Sequence, residues 1–165
     1  ASFILTKDDS GQSGYIGNQM LTDGTQFDFI GIYAGGSKMP VTKEVLEEGK
    51  NGLLSLKPMP GDRNVRLWPM VVEKLLAEYN VKTDEIDHYI FTQINRSVII
   101  KVMEAIRQPV EKAMMIMDKY GYTGSGCVPM ALHEGVKAGK IKRGDKVLFM
   151  ASGAGLSVGS NLLVY

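Results

Sequence analysis

Two apolar runs near the carboxyl end of the chain, separated by a short segment of small residues, constrain the fold most. Residues 147–151 and 159–165 each have the length and composition of a buried strand. The segment between them contains Gly153 and Gly155. Glycines between two buried strands allow the backbone to approach another group closely. The pattern therefore predicts either a tight hairpin in a core sheet or a bend whose N–H groups line a reaction site.

Composition narrows the class of protein. A chain of 165 residues fits one domain and can bury a core. The formal net charge of +1 gives no reason to expect nucleic acid or a membrane surface as a partner. A single Cys forbids an internal disulfide and is typical of a reducing compartment, so we expect a cytoplasmic protein. We see no signal peptide and no apolar run of membrane-spanning length, and we predict no metal site and no bound cofactor.

The sequence pattern of the amino-terminal part predicts strands. The chain begins without an initiator Met, and residues 2–6 predict a strand that would need neighbours outside this sequence. We therefore expect a fragment, or one product of a cleaved or split chain. Residues 15–21 and 28–34 predict two further strands, with a turn at 22–25 between them.

Helical patterns follow. Residues 43–48 predict a short helix with Thr42 as its N-cap and Gly49 as its stop. A longer helix opens at Asp62 and contains Pro69, which marks either its first turn or a kink, and Asn80 is its predicted C-cap. Its predicted inward face is Val65, Trp68, Val72, Leu75, Leu76 and Tyr79.

The second half alternates strands and helices. Residues 88–92 and 113–117 predict strands, a helix begins at about Asn95, and another contains Met130 and Val136. This alternation argues for an α/β layer with parallel sheet segments.

Four motifs occur in a fixed order at residues 87–95, 120–132, 139–148 and 153–160. Together they resemble the C-terminal half of the 3-oxoacyl-acyl-carrier-protein synthase III family. The resemblance implies a thiolase-like fold, of which this chain would be the C-terminal half of a five-layer α/β/α/β/α architecture with a mixed sheet. Residues 1–8 would then be the last strand of the missing N-terminal half, and residues 9–165 the C-terminal domain.

The resemblance also implies a chemistry. A Cys in the N-terminal half carries the acyl group as a thioester, and no residue here matches it. A His and an Asn of the C-terminal half donate hydrogen bonds to a thioester carbonyl. Their positions are occupied by Thr92 and Tyr122. A Thr hydroxyl donates one hydrogen bond but is no base near neutral pH, and a Tyr phenol donates but is bulkier than Asn.

Further residues take their roles from the same resemblance. The backbone N–H of Ala154 would complete an oxyanion hole, and Gly153, Gly155, Gln93 and Asn95 would contact substrate. Cys127 is interpreted as a buried structural thiol. The remaining titratable candidates, His88 and His133, are interpreted as packing or surface histidines.

The implied substrates are acyl thioesters of coenzyme A or of an acyl carrier protein. Arg96 and Lys101 are candidates for carrier docking, although two basic side chains on a helix more often form a solvated face, and the family's Arg aligns with Ser97. The implied partners are the N-terminal half, on the same or a separate chain, and a second subunit in a homodimer or heterodimer.

Three functions stay open at this point. The first, which we favour, is a synthase-III-like acyltransferase or condensing enzyme of fatty acid or related acyl chain biosynthesis. The second is a non-catalytic subunit that pairs with an active synthase. The third, an independent binding module, is disfavoured by the unpaired apolar strand at the start. The favoured interpretation expects the glycine bend, Thr92 and Tyr122 to meet in one buried cavity.

Overall fold

The computed structural model describes residues 2–165, which form two compact units. The larger unit runs to Leu21 and also contains Asp62–Ser152 and Val158–Tyr165. The smaller unit contains Thr22–Gly61 and Gly153–Ser157. Ala1, with which the predicted strand of the N-terminal half begins, lies outside the described residues. Within residues 2–165, no helix is both long and apolar enough to cross a lipid bilayer.

Strands and helices alternate through most of the chain. The strands are β1 Gly14–Gln26, β2 Ile30–Gly31, β3 Leu54–Ser55, β4 His88–Phe91, β5 Ala113–Met114, β6 Lys146–Gly153 and β7 Gly155–Val164. The helices are α1 Lys43–Glu47, α2 Arg63–Glu78, α3 Arg96–Ala105, α4 Met117–Tyr120 and α5 Cys127–Lys137. Short 3₁₀ turns occupy Thr83–Glu85, Val110–Lys112 and Gly124–Gly126.

The main sheet has five strands in the order β1-β7-β6-β4-β5. Strand β4 runs parallel to both β5 and β6. At the base of β6 and β7, Gly144 donates its N–H to the Tyr165 carbonyl at 2.8 Å, as expected for an antiparallel pair joined by a tight bend. The sheet therefore mixes parallel and antiparallel strands, which is the fold class that the sequence predicts.

Helix α2 covers part of this sheet with its apolar face. Four of the six predicted inward residues are buried, namely Trp68, Val72, Leu75 and Leu76, whereas Val65 and Tyr79 are only half-buried. Val71, which was not predicted, is buried as well. Pro69 lies inside the helix rather than at its start. Asn80 has a positive φ of 52° and follows Tyr79, so the observed C-cap, Tyr79, lies one residue before the predicted one.

Helix α1 begins as the sequence predicts. The Thr42 hydroxyl oxygen accepts a hydrogen bond from the Val45 N–H at 3.4 Å, which satisfies one of the free N–H groups of the first turn. Gly49, with a φ of +66°, follows the helix and provides the left-handed conformation that ends it.

One prediction in the amino-terminal part is wrong and one stays a prediction. Among the described residues no strand pairs with residues 2–6, and the side chains of Ile4 and Leu5 are about nine-tenths exposed, so the strand expected there with neighbours outside this sequence stays a prediction. Only Ile30–Gly31 of the predicted strand 28–34 is extended and paired, and its partner is Leu54–Ser55.

The turn predicted at 22–25 is also wrong, since these residues lie inside β1. The Asp23 carboxylate still accepts the Thr25 N–H at 3.0 Å, as it would in a turn. Pairing with β7 keeps the backbone extended, and the hydroxyls of Thr22 and Ser157 lie 3.3 Å apart across the two strands.

Two strand boundaries differ from those predicted. Strand β5 stops at Met114 instead of 117, because the Ile116 N–H donates to the Gln93 side chain and not to a neighbouring strand. Strand β7 begins at Gly155 instead of 159, so that Ala154 alone separates it from β6. The glycine-rich segment is therefore a very tight bend between two long strands.

Candidate functional site

The carboxyl end of the parallel strand β4 carries Thr92, the first of the predicted site residues in the larger unit. Thr92 follows β4 directly, and its N–H donates to the Met150 carbonyl at 2.9 Å. This bond continues the ladder between β4 and β6 by one residue and fixes the Thr92 backbone. Ligands of α/β sheets bind outside the carboxyl ends of parallel strands, so Thr92 stands where a ligand is expected.

The Thr92 side chain is buried, with 5% of its surface exposed, and its hydrogen bonding is defined. Its hydroxyl oxygen accepts the backbone N–H of Ser152 at 3.2 Å. Among residues 2–165, nothing accepts the hydroxyl's own hydrogen. Because a hydroxyl has a single hydrogen, Thr92 retains one hydrogen bond that it can donate to a ligand.

The Ser152 side chain joins two residues of α2. The Trp68 indole N–H donates to the Ser152 hydroxyl oxygen at 2.6 Å. The Ser152 hydroxyl in turn donates to the Asn64 amide oxygen at 3.1 Å. An indole nitrogen can only donate and an amide oxygen can only accept, so the direction of each bond is fixed. Sequence reasoning missed Ser152 and Asn64, and it interpreted Trp68 as core only.

An aromatic stack holds Trp68 in place. Its ring lies 5.2 Å from the Phe91 ring at an interplanar angle of 14°. The Tyr89 ring lies 6.1 Å from the Phe91 ring at 6°. The buried Tyr89 hydroxyl donates to the Thr83 carbonyl at 3.1 Å, and burial raises the pKa of this phenol above its ordinary value. The residues beneath Thr92 are thus closely packed.

Gln93, predicted to contact substrate, bonds to the backbone on all sides. Its side-chain nitrogen donates to the carbonyls of Phe91 and Met114, both at 2.9 Å. Its side-chain oxygen accepts the Ile116 N–H at 2.8 Å. Only 1% of the residue is exposed. These contacts tie the end of β4 to the end of β5 and give Gln93 a structural role, while its contact with substrate stays a prediction.

Cys127 is a buried free thiol at the first position of α5, as the sequence predicts. Its sulfur accepts the Gln93 N–H at 3.4 Å. The start of α5 therefore lies directly beside the residue that follows Thr92. With 2% of its surface exposed, the thiol lacks the access that a nucleophile requires.

Asn95 and the two predicted docking residues lie at α3. The Asn95 side-chain oxygen caps this helix, because it accepts the Ser97 N–H at 3.0 Å and the Ser97 hydroxyl at 2.8 Å. Arg96 and Lys101 are both exposed on the same helix. Their exposure fits a solvated face and a docking face equally, so carrier docking stays a prediction.

Tyr122 lies between α4 and the 3₁₀ turn Gly124–Gly126, with half of its surface exposed. Five positions later in the sequence, Cys127 contacts Gln93 as described above. The segment that carries Tyr122 therefore leads to the carboxyl end of β4. Whether its hydroxyl contacts a ligand stays a prediction.

The glycine bend belongs to the smaller unit. Gly155 has a φ of +132°, a conformation that favours glycine. Ala154 is not among the residues with positive φ, so its backbone suits an alanine side chain. An alanine can therefore occupy this position without changing the direction of its backbone N–H. The predicted roles of Gly153, Ala154 and Gly155 stay predictions.

The two histidines are placed as interpreted. His88 begins β4, at the end opposite to Thr92, and its Nε2 lies 3.2 Å from a carboxylate oxygen of Asp145. His133 is exposed on α5. A surface depression of about 300 Å³ beside α2 and α3 includes no predicted site residue; Val72, Glu73, Thr83, Ala105, Ile106 and Arg107 line it.

Comparison with known proteins shows to which family the chain belongs. The sequence model of the family described as 3-oxoacyl-[acyl-carrier-protein (ACP)] synthase III C terminal matches residues 76–165. A beta-ketoacyl-[acyl-carrier-protein] synthase III from Aliarcobacter butzleri is 36% identical over 100% of this chain and 49% of its own length. The chain belongs to the synthase III family. A synthase III from Aquifex aeolicus is 40% identical over 81% of this chain and 42% of its own length.

Solved synthase III structures agree with this assignment. The Aquifex aeolicus enzyme superimposes with a TM-score of 0.74 at 29% identity, over 97% of this chain and 47% of that chain. The Thermus thermophilus enzyme gives 0.78 at 25% identity, over 96% and 48%. The predicted thiolase-like fold is therefore confirmed. The chain spans about half the length of the synthase III proteins that it matches.

Proposed function

We propose that this chain is the C-terminal half of a synthase-III-like acyltransferase that handles acyl thioesters of coenzyme A or acyl carrier protein. The observation that carries the proposal is the bonding of Thr92. Its hydroxyl oxygen accepts the Ser152 N–H at 3.2 Å, and no group of residues 2–165 accepts its hydrogen, which can therefore be donated to a ligand. The favoured biological setting is fatty acid or related acyl chain biosynthesis in the cytoplasm, without a bound cofactor.

The chemistry of this half is stabilisation of charge. In acyl transfer, the bond between the carbonyl carbon and the thioester sulfur breaks, the thiol leaves, and a new bond forms to an acceptor nucleophile. Negative charge develops on the carbonyl oxygen during this step. Thr92 donates its hydrogen bond to that oxygen, and its hydroxyl takes up no proton.

The nucleophile is supplied by the N-terminal half, on the same or a separate chain. Exposed apolar side chains support such a partner. Phe3, Ile4 and Leu5 are 56%, 90% and 91% exposed, and we assign residues 1–8 to the last strand of that half. Within the smaller unit, Phe27, Ile32 and Leu53 are each about two-thirds exposed. Large apolar surfaces of this kind mark contacts with another chain or segment.

Tyr122 occupies the position at which the resemblance implies an Asn. Its phenol forms part of the wall of the acyl pocket. Replacement Tyr122→Asn tests this assignment. We expect altered acyl chain preference and altered turnover, because a bulky ring is exchanged for a small amide. Unchanged turnover and unchanged substrate binding would remove Tyr122 from the pocket.

Arg96 and Lys101 form the docking site for an acidic carrier protein. Replacement of both by Glu is expected to raise KM for acyl carrier protein substrates and to leave KM for acyl-coenzyme A unchanged, since only the carrier is large and acidic. An equal effect on both substrates, or none on either, would assign the two side chains to a solvated face.

The direct test of acyl transfer is intact-protein mass spectrometry. The full-length protein is incubated with acetyl-coenzyme A and with longer acyl-coenzyme A thioesters, and a mass increase by one acyl group is expected. Iodoacetamide treatment beforehand is expected to prevent the adduct if a Cys of the N-terminal half is the nucleophile. Absence of an adduct with every thioester would eliminate the covalent acyltransferase.

A second function, a non-catalytic subunit that pairs with an active synthase, is favoured by Thr92 and Tyr122 at positions where the resemblance implies His and Asn. Such a subunit tolerates loss of polar catalytic residues. It would show no acyl adduct alone, but would co-purify with an active synthase and change that enzyme's chain-length preference.

A further inference from the structure

Three residues outside the predicted site converge on the backbone beside Thr92. Ser152 is the penultimate residue of β6, and its N–H is the group that holds the Thr92 hydroxyl oxygen. The Ser152 side chain is itself held from two directions, by Trp68 at 2.6 Å and by Asn64 at 3.1 Å. Both partners come from α2, so a helix far away in sequence fixes the end of β6.

The direction of the bonds determines what Thr92 can do. Trp68 can only donate, so it occupies a lone pair of the Ser152 hydroxyl and sends that hydroxyl's hydrogen to Asn64. The Ser152 backbone N–H is then directed to Thr92 alone. Since this N–H occupies a lone pair of the Thr92 hydroxyl, the Thr92 hydrogen points elsewhere.

Packing makes the arrangement rigid. Trp68 is fully buried, and its ring stacks on Phe91, which immediately precedes Thr92. The same aromatic pair therefore supports both strands that the Ser152–Thr92 bond connects. A hydroxyl can rotate, and here the Ser152 N–H excludes the Thr92 hydrogen from one direction.

We propose that Ser152, anchored by Trp68 and Asn64, is a positioning residue that orients the Thr92 hydroxyl as a hydrogen-bond donor toward the acyl thioester. The inference rests on the proposed function, in which Thr92 donates to the thioester carbonyl. It adds that the donor is oriented by α2 through the Ser152 side chain. None of the three positioning residues is required to touch the substrate.

A double-mutant cycle in the full-length protein tests the inference. Ser152→Ala keeps the backbone N–H but removes the hydroxyl that anchors it. We expect kcat for acyl transfer to fall on the order of tenfold with KM nearly unchanged, because small misplacements of a catalytic group are costly. In a Thr92→Val background the same substitution is expected to have no further effect on kcat.

Two more variants separate positioning from general stability. Ser152→Thr keeps the hydroxyl, and we expect its kcat to lie well above that of Ser152→Ala. Ser160→Ala removes another side-chain hydroxyl of the same sheet, one that donates to the Gln19 carbonyl at 3.3 Å. It is the matched control, and its kcat is expected to stay within about twofold of the parent, since its hydroxyl is not connected to Thr92.

The remaining outcomes of these experiments would contradict specific parts of the proposal. An equal loss of kcat from Ser152→Ala with and without Thr92, or a similar loss from Ser160→Ala, would assign Ser152 a structural role only. A parent protein that transfers acyl groups while Thr92→Val is equally active would remove Thr92, and Ser152 with it. A parent protein that transfers no acyl group would overturn the proposed function as well.

Discussion

The indole nitrogen of Trp68 lies 2.6 Å from the hydroxyl oxygen of Ser152, and this bond joins helix α2 to the end of strand β6. Replacement Trp68→Phe keeps a stacked ring but removes the donor. We expect the free energy of unfolding to fall by about 1–2 kcal/mol, from one lost hydrogen bond and a small cavity. Urea denaturation of the full-length protein measures it, and an unchanged midpoint would contradict the contact.

Gln93 is expected to be among the most sensitive polar residues for stability. Gln93→Leu removes three hydrogen bonds at a buried position, to the Ile116 N–H and to the carbonyls of Phe91 and Met114. At about 1–3 kcal/mol for each unsatisfied buried group, the loss should exceed about 3 kcal/mol. Gln12→Leu, at an exposed position, is the control. Similar denaturation midpoints for the two variants would show that the Gln93 network is not formed.

Gly17 of β1 is predicted to tolerate no side chain. A Cβ at this position would lie 2.0 Å from the nearest atom of the Tyr79 ring. We expect Gly17→Ala to destabilise the protein by about 1–3 kcal/mol through overpacking. Gly14→Ala, in the same strand with nothing within 4 Å, is the control. Thermal unfolding compares the two, and an equal melting temperature would refute the close contact.

The raised pKa of Tyr89 predicts that the free energy of unfolding falls at alkaline pH. Its pKa is raised in the folded state, so above the ordinary phenol value of about 10 the unfolded chain releases this proton first. Stability is therefore complete below pH 10 and falls as the pH rises beyond it. Tyr89→Phe lacks this dependence, although it loses about 1 kcal/mol at neutral pH with the bond to Thr83.

The measurement for Tyr89 is the unfolding free energy of both proteins between pH 7 and pH 11. The advantage of the parent over Tyr89→Phe is expected to shrink steadily once the pH passes about 10. The two proteins differ only at residue 89, so the difference between their unfolding free energies isolates Tyr89. A constant difference across this range would mean that Tyr89 is solvated in the folded state.

Sequence patterns predicted the elements that are determined by residues close together in the chain. Helix α1 follows from the Thr42 cap, and α2 from its apolar face, and both are present. The strand expected at 28–34 is reduced to Ile30–Gly31, because the length of a strand depends on its partner and not on its own composition. The turn expected at 22–25 gave way to pairing with β7 for the same reason.

The candidate site likewise contains one part that the sequence predicts and another that depends on distant residues. The resemblance of motifs made Thr92 a candidate, and the structure places this residue at the carboxyl end of β4. The Trp68–Ser152 bond spans 84 positions in sequence, so no local pattern reveals it. One signal was available: a buried indole N–H needs an acceptor, and a Ser at the end of an apolar strand can provide one. Gln93 had no such signal, because two of its three side-chain bonds go to backbone groups at Met114 and Ile116, more than twenty positions away in sequence.

The most direct test of the central claim is the rate at which the full-length protein releases coenzyme A from acyl-coenzyme A, compared with its Thr92→Val and Thr92→Ser variants. If Thr92 donates to the thioester carbonyl, loss of the hydroxyl in Thr92→Val should lower kcat by about 10²-fold or more, as for other oxyanion donors. Thr92→Ser, which keeps a hydroxyl, should lie clearly above Thr92→Val. Equal rates for the parent protein and Thr92→Val would contradict the account.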